Sequence, residues 1–270
     1  MTETAIEPSG GWEIALLEFG RARHPGEWVG PGFPDWMWTP MNGLLLQRPG
    51  QTILVDTGAG VFTFLWPFEG ITSDSAQALA RAGVEPADVD LVVLTHLDDD
   101  HVGGLLAGTW PDDVAPAFPR ARVVAPRAAV RAVDAGEGLP AGIEERRRLV
   151  EIVRAAGQLE EVEPGDEVAD AVRLRDAPGH RAGHVCVEVG AERPLVHLAD
   201  TLHHVAHVEH PEWDGPADDD RALALATRRS LLAELASSGA RAVASHLSGP
   251  HALRISVRED GAFEAHAAER

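Results

Sequence analysis

The sequence feature that most constrains the fold of this chain is a histidine or aspartate at the end of each of four separate apolar, strand-like runs. The segments "LVVLTH", "VRLRDAPGH", "PLVHLAD" and "RAVASH" end at His96, His180, Asp200 and His246. Because side chains at strand ends can converge without interrupting the hydrogen bonds of a sheet, these four can share one site. Convergence on a metal ion is the simplest explanation of the pattern.

The first of these strand ends continues into the polar segment "THLDDDHVGG". His96, Asp98, Asp100 and His101 offer two nitrogen and two carboxylate ligands close together in sequence. A solvated acidic loop would account for the aspartates as surface charges, but it leaves the flanking histidines and the Gly-Gly pair unexplained. We therefore interpret the segment as a metal-binding loop.

The remaining patterns indicate mixed secondary structure over one domain, residues 1–270. Short apolar runs such as "WEIALLEF", "QTILVDTG" and "HVCVEV" predict strands, and "IEERRRLVEIVRAAG" and "DDRALALATRRSLLAELASSG" predict amphipathic helices that end at glycine. A hairpin pattern in "GLLLQRPGQTILVD" favours mixed over all-parallel sheets. The predicted fold class is α/β, or more broadly α+β.

Composition restricts the partners of the chain. The formal net charge is −20, with no local basic face, which argues against nucleic acid and against an anionic membrane surface. The lone Cys186 cannot form an internal disulfide, and neither a secretion signal nor a run of about 18 apolar residues is visible. We expect a cytoplasmic protein that acts on a small molecule; its oligomeric state is left open, a homodimer being one option.

The order of the motifs resembles that of the metallo-β-lactamase-fold hydrolases, in particular their lactonase-like and organophosphate-hydrolase-like members. "MNGLLLQRPGQTILVDTGAG" is similar to the opening hairpin of that superfamily, "THLDDDHVGG" to its His-x-His-x-Asp-His loop, "APGHRAGH" to its Pro-Gly-His turn and "HLADT" to its bridging-aspartate strand. The resemblance implies a four-layer αβ/βα sandwich with metals at one edge between two sheets. It also implies a hydrolase in which a metal-bound hydroxide attacks the substrate.

The same resemblance implies a set of ligands for two divalent metal ions. One ion would take His96, Asp98 and His180, the second would take Asp100, His101 and His246, and Asp200 would bridge them. The chain departs from the superfamily at Asp98, where a histidine is usual. A third carboxylate makes the assembled cluster neutral and its ligand set harder, so manganese or iron become options beside zinc, which we expect first.

Further roles follow for residues around these ligands. Asp100 or Asp200 would orient the attacking hydroxide and relay its proton. His203 stands three positions after the bridging aspartate, where lactonases carry a tyrosine, and could support a developing oxyanion. Asp56 and His184 are interpreted as structural residues beside the metals.

Several alternatives stay open from the sequence. The favoured substrate is a small, fairly apolar ester or lactone. A carboxylate-rich di-iron redox protein and a metal-binding pseudoenzyme are the other two readings, and Asp98 could leave the first metal site empty. Segment 24–41, rich in tryptophan, proline and glycine, is expected to be an irregular packed loop that covers either a core edge or the active site.

Overall fold

The computed structural model describes residues 3–66, 70–138, 141–213, 217–248 and 252–268, which form seventeen strands and six α-helices. The strands are β1 (Glu3–Ser9), β2 (Trp12–Pro25), β3 (Trp36–Arg48), β4 (Gln51–Val55), β5 (Thr72–Ser73), β6 (Leu91–Val93), β7 (Leu106–Thr109), β8 (Asp113–Pro116), β9 (Arg122–Pro126), β10 (Leu159–Val162), β11 (Glu167–Ala169), β12 (Val172–Asp176), β13 (Val185–Val189), β14 (Leu195–His197), β15 (Arg241–Val243), β16 (Leu253–Val257) and β17 (Phe263–Ala267). The helices are α1 (Ser75–Arg81), α2 (Asp99–Val102), α3 (Arg127–Ala135), α4 (Ile143–Ala155), α5 (Ala206–Glu209) and α6 (Arg221–Ser238).

The strands form two large mixed sheets and a separate hairpin of β7 and β8. The first sheet has the order β1-β2-β3-β4-β6-β9-β10, with β5 paired to β2, and it is parallel from β4 to β10. The second sheet runs from β11 to β17 in sequence order, and only its β14–β15 pair is parallel. The prediction of mixed sheets is confirmed.

Side chains that point alternately to the two faces of each strand create the layers of the fold. In β4, Ile53 and Val55 face the core between the two sheets, whereas Leu54 faces an outer core. Successive strand side chains point to opposite faces, so a strand buried on both sides reads as a continuous apolar run. Helices α1, α3 and α4 cover the first sheet, and α6 covers the second through Leu231 and Leu235. The predicted four-layer αβ/βα arrangement is confirmed.

The prediction of an irregular loop over residues 24–41 is wrong at both ends. Strand β2 continues to Pro25 and β3 begins at Trp36, since the two pair antiparallel as far as that residue pair. Cross-strand hydrogen bonds thus override the local proline and glycine content. Trp36 and Trp38 are 43% and 50% exposed, and Trp28 instead lines a cavity.

The carboxyl ends of several strands meet at one edge of the two packed sheets. Strands β4 and β6 are parallel, as are β14 and β15, and β12 runs in the direction of β14 because both are antiparallel to β13. The loops that follow these strands therefore gather at the same edge. Within the described ranges, no helix has the length and apolarity needed to cross a lipid bilayer.

Candidate metal centre

A first group of ligands gathers at this edge from three different loops. His96 follows β6, His180 follows β12, and Asp200 lies in the 3₁₀ turn after β14. Their ligand atoms all lie within 4.8 Å of one another. Oδ2 of Asp200 is 3.5 Å from Nε2 of His180 and 3.9 Å from Nε2 of His96.

A second group lies beside it, formed by Asp100, His101 and His246. The Asp100 carboxylate is 3.7 Å from Nε2 of His101 and 3.5 Å from Nε2 of His246. Asp200 also faces this group, with Oδ1 3.3 Å from His101 and Oδ2 3.2 Å from His246. The carboxylate of Asp200 thus faces histidine Nε2 atoms of both groups, as that of a bridging ligand would.

The distances between these nitrogen and oxygen atoms, and the hydrogen bonding of the buried ones, fit the binding of divalent cations. Two atoms that bind one ion tetrahedrally at about 2.0–2.2 Å lie about 3.3–3.6 Å apart, close to the separations observed. Nε2 of His96, His101 and His180 and Oδ1 of Asp200 are buried and make no aligned hydrogen bond within the described part of the chain. Each buried polar atom of this kind lowers the stability of the fold by about 1–3 kcal/mol, and a cation bound between them would remove this penalty.

Hydrogen bonds on the far side of each ring turn Nε2 toward the centre. Each Nδ1 atom has one partner at 2.8–2.9 Å: Thr95 for His96, Asp56 for His101, Asp218 for His180 and the carbonyl of Pro40 for His246. Partners of this kind fix the tautomer and orientation of metal-binding histidines. The imidazoles are therefore held ready for ligation before any ion binds.

Asp56 has the structural role expected of it. Its carboxylate accepts hydrogen bonds from the backbone amide and the hydroxyl of Thr95, at 2.9 and 2.8 Å, as well as contacting His101. Asp56 adopts a left-handed backbone conformation with φ of 58°, directly after β4. It thereby ties the end of β4 to the loop that carries the ligands.

His184 likewise lies behind the ligands rather than among them. Its Nδ1 donates to the carbonyl of Ala177 at 2.8 Å, and its Nε2 accepts from the amide of Asp200 at 3.2 Å. Both ring nitrogens are occupied, so His184 helps to position the backbone of Asp200. Burial, followed by the neighbouring His180, lowers the pKa of His184 to about 3, which keeps Nε2 an acceptor.

The Gly-Gly pair after the ligand loop is required by a close approach of two backbone segments. A Cβ on Gly103 would lie 1.8 Å from the carbonyl oxygen of Ala59, and one on Gly104 would lie 2.1 Å from that of Thr57. The loop after β4 therefore packs directly on the loop after β6. This contact brings Asp56 within reach of His101.

The electrostatic field of the site favours positive charge. Burial opposes protonation of His101, but the charges of Asp200 and Asp100 outweigh it and hold the pKa of His101 well above its ordinary value. Burial, followed by the adjacent His101, instead keeps the pKa of His96 well below its ordinary value. Because carboxylates surround the centre on several sides, cations and protons compete for the same ring nitrogens.

Asp98 stands at the position where the superfamily motif usually has histidine. It lies between the first group and Arg181. Its Oδ2 is 3.8 Å from Nε2 of His96 and 3.6 Å from Nε2 of His180. Oδ1 of the same carboxylate accepts a hydrogen bond from Nε of Arg181 at 3.1 Å, and Oδ2 forms an ion-pair contact with Nε at 2.9 Å. The sequence-based charge count omitted Arg181, whose guanidinium offsets the extra carboxylate.

One partner of His180 was not anticipated from the sequence. Asp218 holds Nδ1 of His180 and is itself buried against Arg228, at 3.4 Å. Asp218 has no strand-end or motif signal, since it lies among three consecutive aspartates in "PADDDR". Burial opposes protonation of His180, but the hydrogen bond to Asp218 and the nearby carboxylates of Asp98 and Asp200 raise its pKa to about 9.

A cavity of about 370 Å³ opens above the ligands. Its walls include Trp28, Val29, Leu65 and Trp66, and the members of the two groups that line its floor are Asp100, His180, Asp200 and His246. His203 also lines it, with its ring stacked on that of His246 at 5.7 Å between centroids. The polar floor and apolar walls are typical of a small-molecule site.

The other histidines after Asp200 have local structural contacts. His204 meets the edge of Phe33, and His210 stacks on Trp213. His207 is fully buried, and its Nε2 contacts the carbonyl of Val29 at 2.9 Å. His203 is thus the member of this run that lines the cavity over the ligands.

The αβ/βα layers and the two His/Asp groups at one sheet edge define a metal-binding protein class. The chain belongs to the metallo-beta-lactamase superfamily, whose family model matches residues 37–246. Two relatives, probable metallo-hydrolases of Mycobacterium bovis and Mycobacterium tuberculosis, are each 28% identical over 184 residues. These matches cover 60% of this chain and 56% of each relative, so the chain spans about half the length of the curated relatives it matches.

Several solved structures share the fold. AidC, a dizinc quorum-quenching lactonase in complex with a product, has a TM-score of 0.82 at 22% identity, covering 99% of this chain and 98% of AidC. AbOPH, a hydrolase of the beta-lactamase superfamily, has a TM-score of 0.81 at 20% identity with the same coverage. A probable metal-dependent hydrolase from Staphylococcus aureus reaches 0.76 at 18% identity, covering 98% of this chain and all of that one, 100%. At these identities the likeness establishes the fold.

Proposed function

We propose that the protein is a binuclear metal-dependent hydrolase that cleaves a small, fairly apolar ester or lactone. The observation that carries this proposal is the pair of ligand groups that meet at Asp200 on the floor of an apolar-walled cavity. The lactonase activity named for AidC and the metallo-hydrolase names of the mycobacterial relatives support it. Two divalent ions, zinc first, would bind the ligand groups described above.

The ligands divide between two ions in a way that the geometry supports. His96 and His180 would bind the first ion, and Asp100, His101 and His246 the second. Asp200 would bridge them, and Asp98 would be shared between the first ion and Arg181. When bound, such ions polarise a carbonyl oxygen and lower the pKa of water to about 7.

The residues of the chain then have distinct tasks in hydrolysis. Asp100 and Asp200 present carboxylate oxygens to the centre, where they orient the attacking water and accept its proton. His203 lies beside them, with Nε2 3.4 Å from Oδ2 of Asp200. We assign to His203 a hydrogen bond to the oxygen that becomes negative as the carbonyl is attacked.

The walls of the cavity determine which substrates fit. Trp28, Val29, Leu65 and Trp66 present mainly apolar surface, while polar groups concentrate at the floor. A substrate with one electrophilic ester or lactone group and an apolar remainder matches this division. The volume of about 370 Å³ is at the lower end of the usual range for small-molecule pockets.

The test is elemental analysis of protein purified without chelator, followed by ester, lactone and phosphotriester panels. We expect about two metal equivalents per chain and turnover of an ester or lactone that is lost on chelation and restored by zinc. His101→Ala should abolish turnover, and the half-exposed His266→Ala is the matched control. Iron with a visible absorption band and no hydrolysis would favour a di-iron redox protein, and metal without turnover would favour a pseudoenzyme.

A further inference from the structure

The carboxylate that departs from the family pattern is paired with a buried arginine from the next ligand loop. Asp98 and Arg181 are each only 8% exposed. Nε of Arg181 donates a hydrogen bond to Oδ1 of Asp98 at 3.1 Å and forms an ion-pair contact with Oδ2 at 2.9 Å. A buried pair at this distance is strongly coupled, and removal of one partner leaves the other charge uncompensated.

The guanidinium is fixed in place by contacts on its other side. Nη1 of Arg181 donates to the carbonyls of His180 and Ala217 and to the carboxylate of Asp219, at 2.8 Å for His180 and 3.2 Å for Asp219. These contacts come from the ligand turn itself and from residues just before α6. The guanidinium of Arg181 is therefore held in one position, and its contact with Asp98 determines where the Asp98 carboxylate lies.

The orientation that results points one oxygen of Asp98 at the first ligand group. Oδ2 lies 3.6 Å from Nε2 of His180 and 3.8 Å from Nε2 of His96, similar to the distances from Asp200 to the same atoms. A carboxylate oxygen has more than one lone pair, so Oδ2 can meet a cation while Arg181 remains bound. The positive guanidinium and a cation at His96 and His180 then share one carboxylate.

We propose that Arg181 is a positioning residue of the first metal site, acting through Asp98. The two side chains work as one unit: Arg181 aims the carboxylate and offsets its charge, so the pair replaces a neutral ligand without making the cluster more negative. The two side chains are interdependent, since Arg181 without Asp98 would place a positive charge beside the metal with only the half-exposed Asp219 carboxylate as its partner. The inference rests on the metal centre of the proposed function but not on its substrate.

The experiment is a zinc titration of the chain of residues 1–270 against a chromophoric chelator, in a double-mutant cycle. Asp98→Asn should weaken zinc binding at the first site by about 100-fold, because the Arg181 charge is left facing the ion. Arg181→Met added to Asp98→Asn should recover at least about tenfold of that loss. The same Arg181→Met change added to Asp98→His should also improve binding over Asp98→His alone.

Controls separate this inference from the proposed function. The binding step of the second site, Asp100 with His101 and His246, reports in each variant that the centre is folded. Arg154→Met, which removes an exposed arginine paired with Asp134, should recover nothing in the Asp98→Asn background. If wild-type protein shows no tight zinc step at all, the proposed function fails. If wild type shows two steps and Arg181→Met only adds to the loss in both backgrounds, this inference alone is overturned.

Discussion

Asp56 and Asp218, the carboxylates that hold two of the candidate ligand histidines from behind, allow the two proposed metal sites to be weakened one at a time. Asp56 holds Nδ1 of His101 in the second group, and Asp218 holds Nδ1 of His180 in the first, each at 2.9 Å. Replacement by asparagine keeps the size but removes the charge and one acceptor oxygen. Asparagine also tolerates the left-handed conformation of position 56, so Asp56→Asn changes the hydrogen bonds without straining the backbone.

The size of the effect follows from the contacts that each carboxylate makes. Loss of an outer partner of a metal-binding histidine weakens binding by about 10- to 100-fold, or about 1.4–2.7 kcal/mol. Asp56 also accepts two hydrogen bonds from Thr95, so its replacement should lower the stability of the metal-free protein by about 1.5–3 kcal/mol as well. Asp218 additionally faces Arg228, which Asp218→Asn would leave partly unpaired.

The assay is a zinc titration that resolves two binding steps, with urea unfolding of the metal-free proteins alongside. Asp56→Asn should weaken only the step that belongs to His101, and Asp218→Asn only the step that belongs to His180. His96→Ala and His246→Ala identify which step belongs to which site. Should both asparagine variants weaken the same step, or change neither by more than about threefold, the division into two ligand groups is incorrect.

Two further predictions concern histidines outside the ligand groups. His203→Gln should lower kcat by about 100-fold while metal content stays at the wild-type value; unchanged kcat in steady-state assays would remove His203 from the chemistry. His207 has its pKa lowered to about 3, chiefly by burial and then by His203, whereas an unfolded histidine titrates near 6.5. The stability that the neutral His207 contributes is therefore present above pH 6.5 and lost as pH falls toward 3. Between pH 5.5 and 4.5, the free energy of unfolding of the wild type should fall by up to about 1.4 kcal/mol per pH unit more than that of His207→Gln. Parallel pH profiles in urea unfolding would contradict this.

The sequence by itself determined the fold class and pointed to the principal candidate ligands, because both depend on local patterns. Apolar alternation marks strands such as β4, and a polar residue at the end of such a run must lie at a sheet edge. His96, His180, Asp200 and His246 were all identified in this way. The tight packing that the Gly-Gly pair permits was also visible as a signal, although its partners Ala59 and Thr57 were not.

Only the tertiary structure decided which side chains stand behind those ligands. Arg181 meets Asp98 across 83 positions of the chain, and Asp218 meets His180 across 38. Such pairs have no periodicity, since they form between loops whose approach is set by how the two sheets pack. The same holds for Trp28, which the continued pairing of β2 with β3 places over the cavity. Local sequence thus points to the candidate ligands, while long-range packing determines their orientation and the charges beside them.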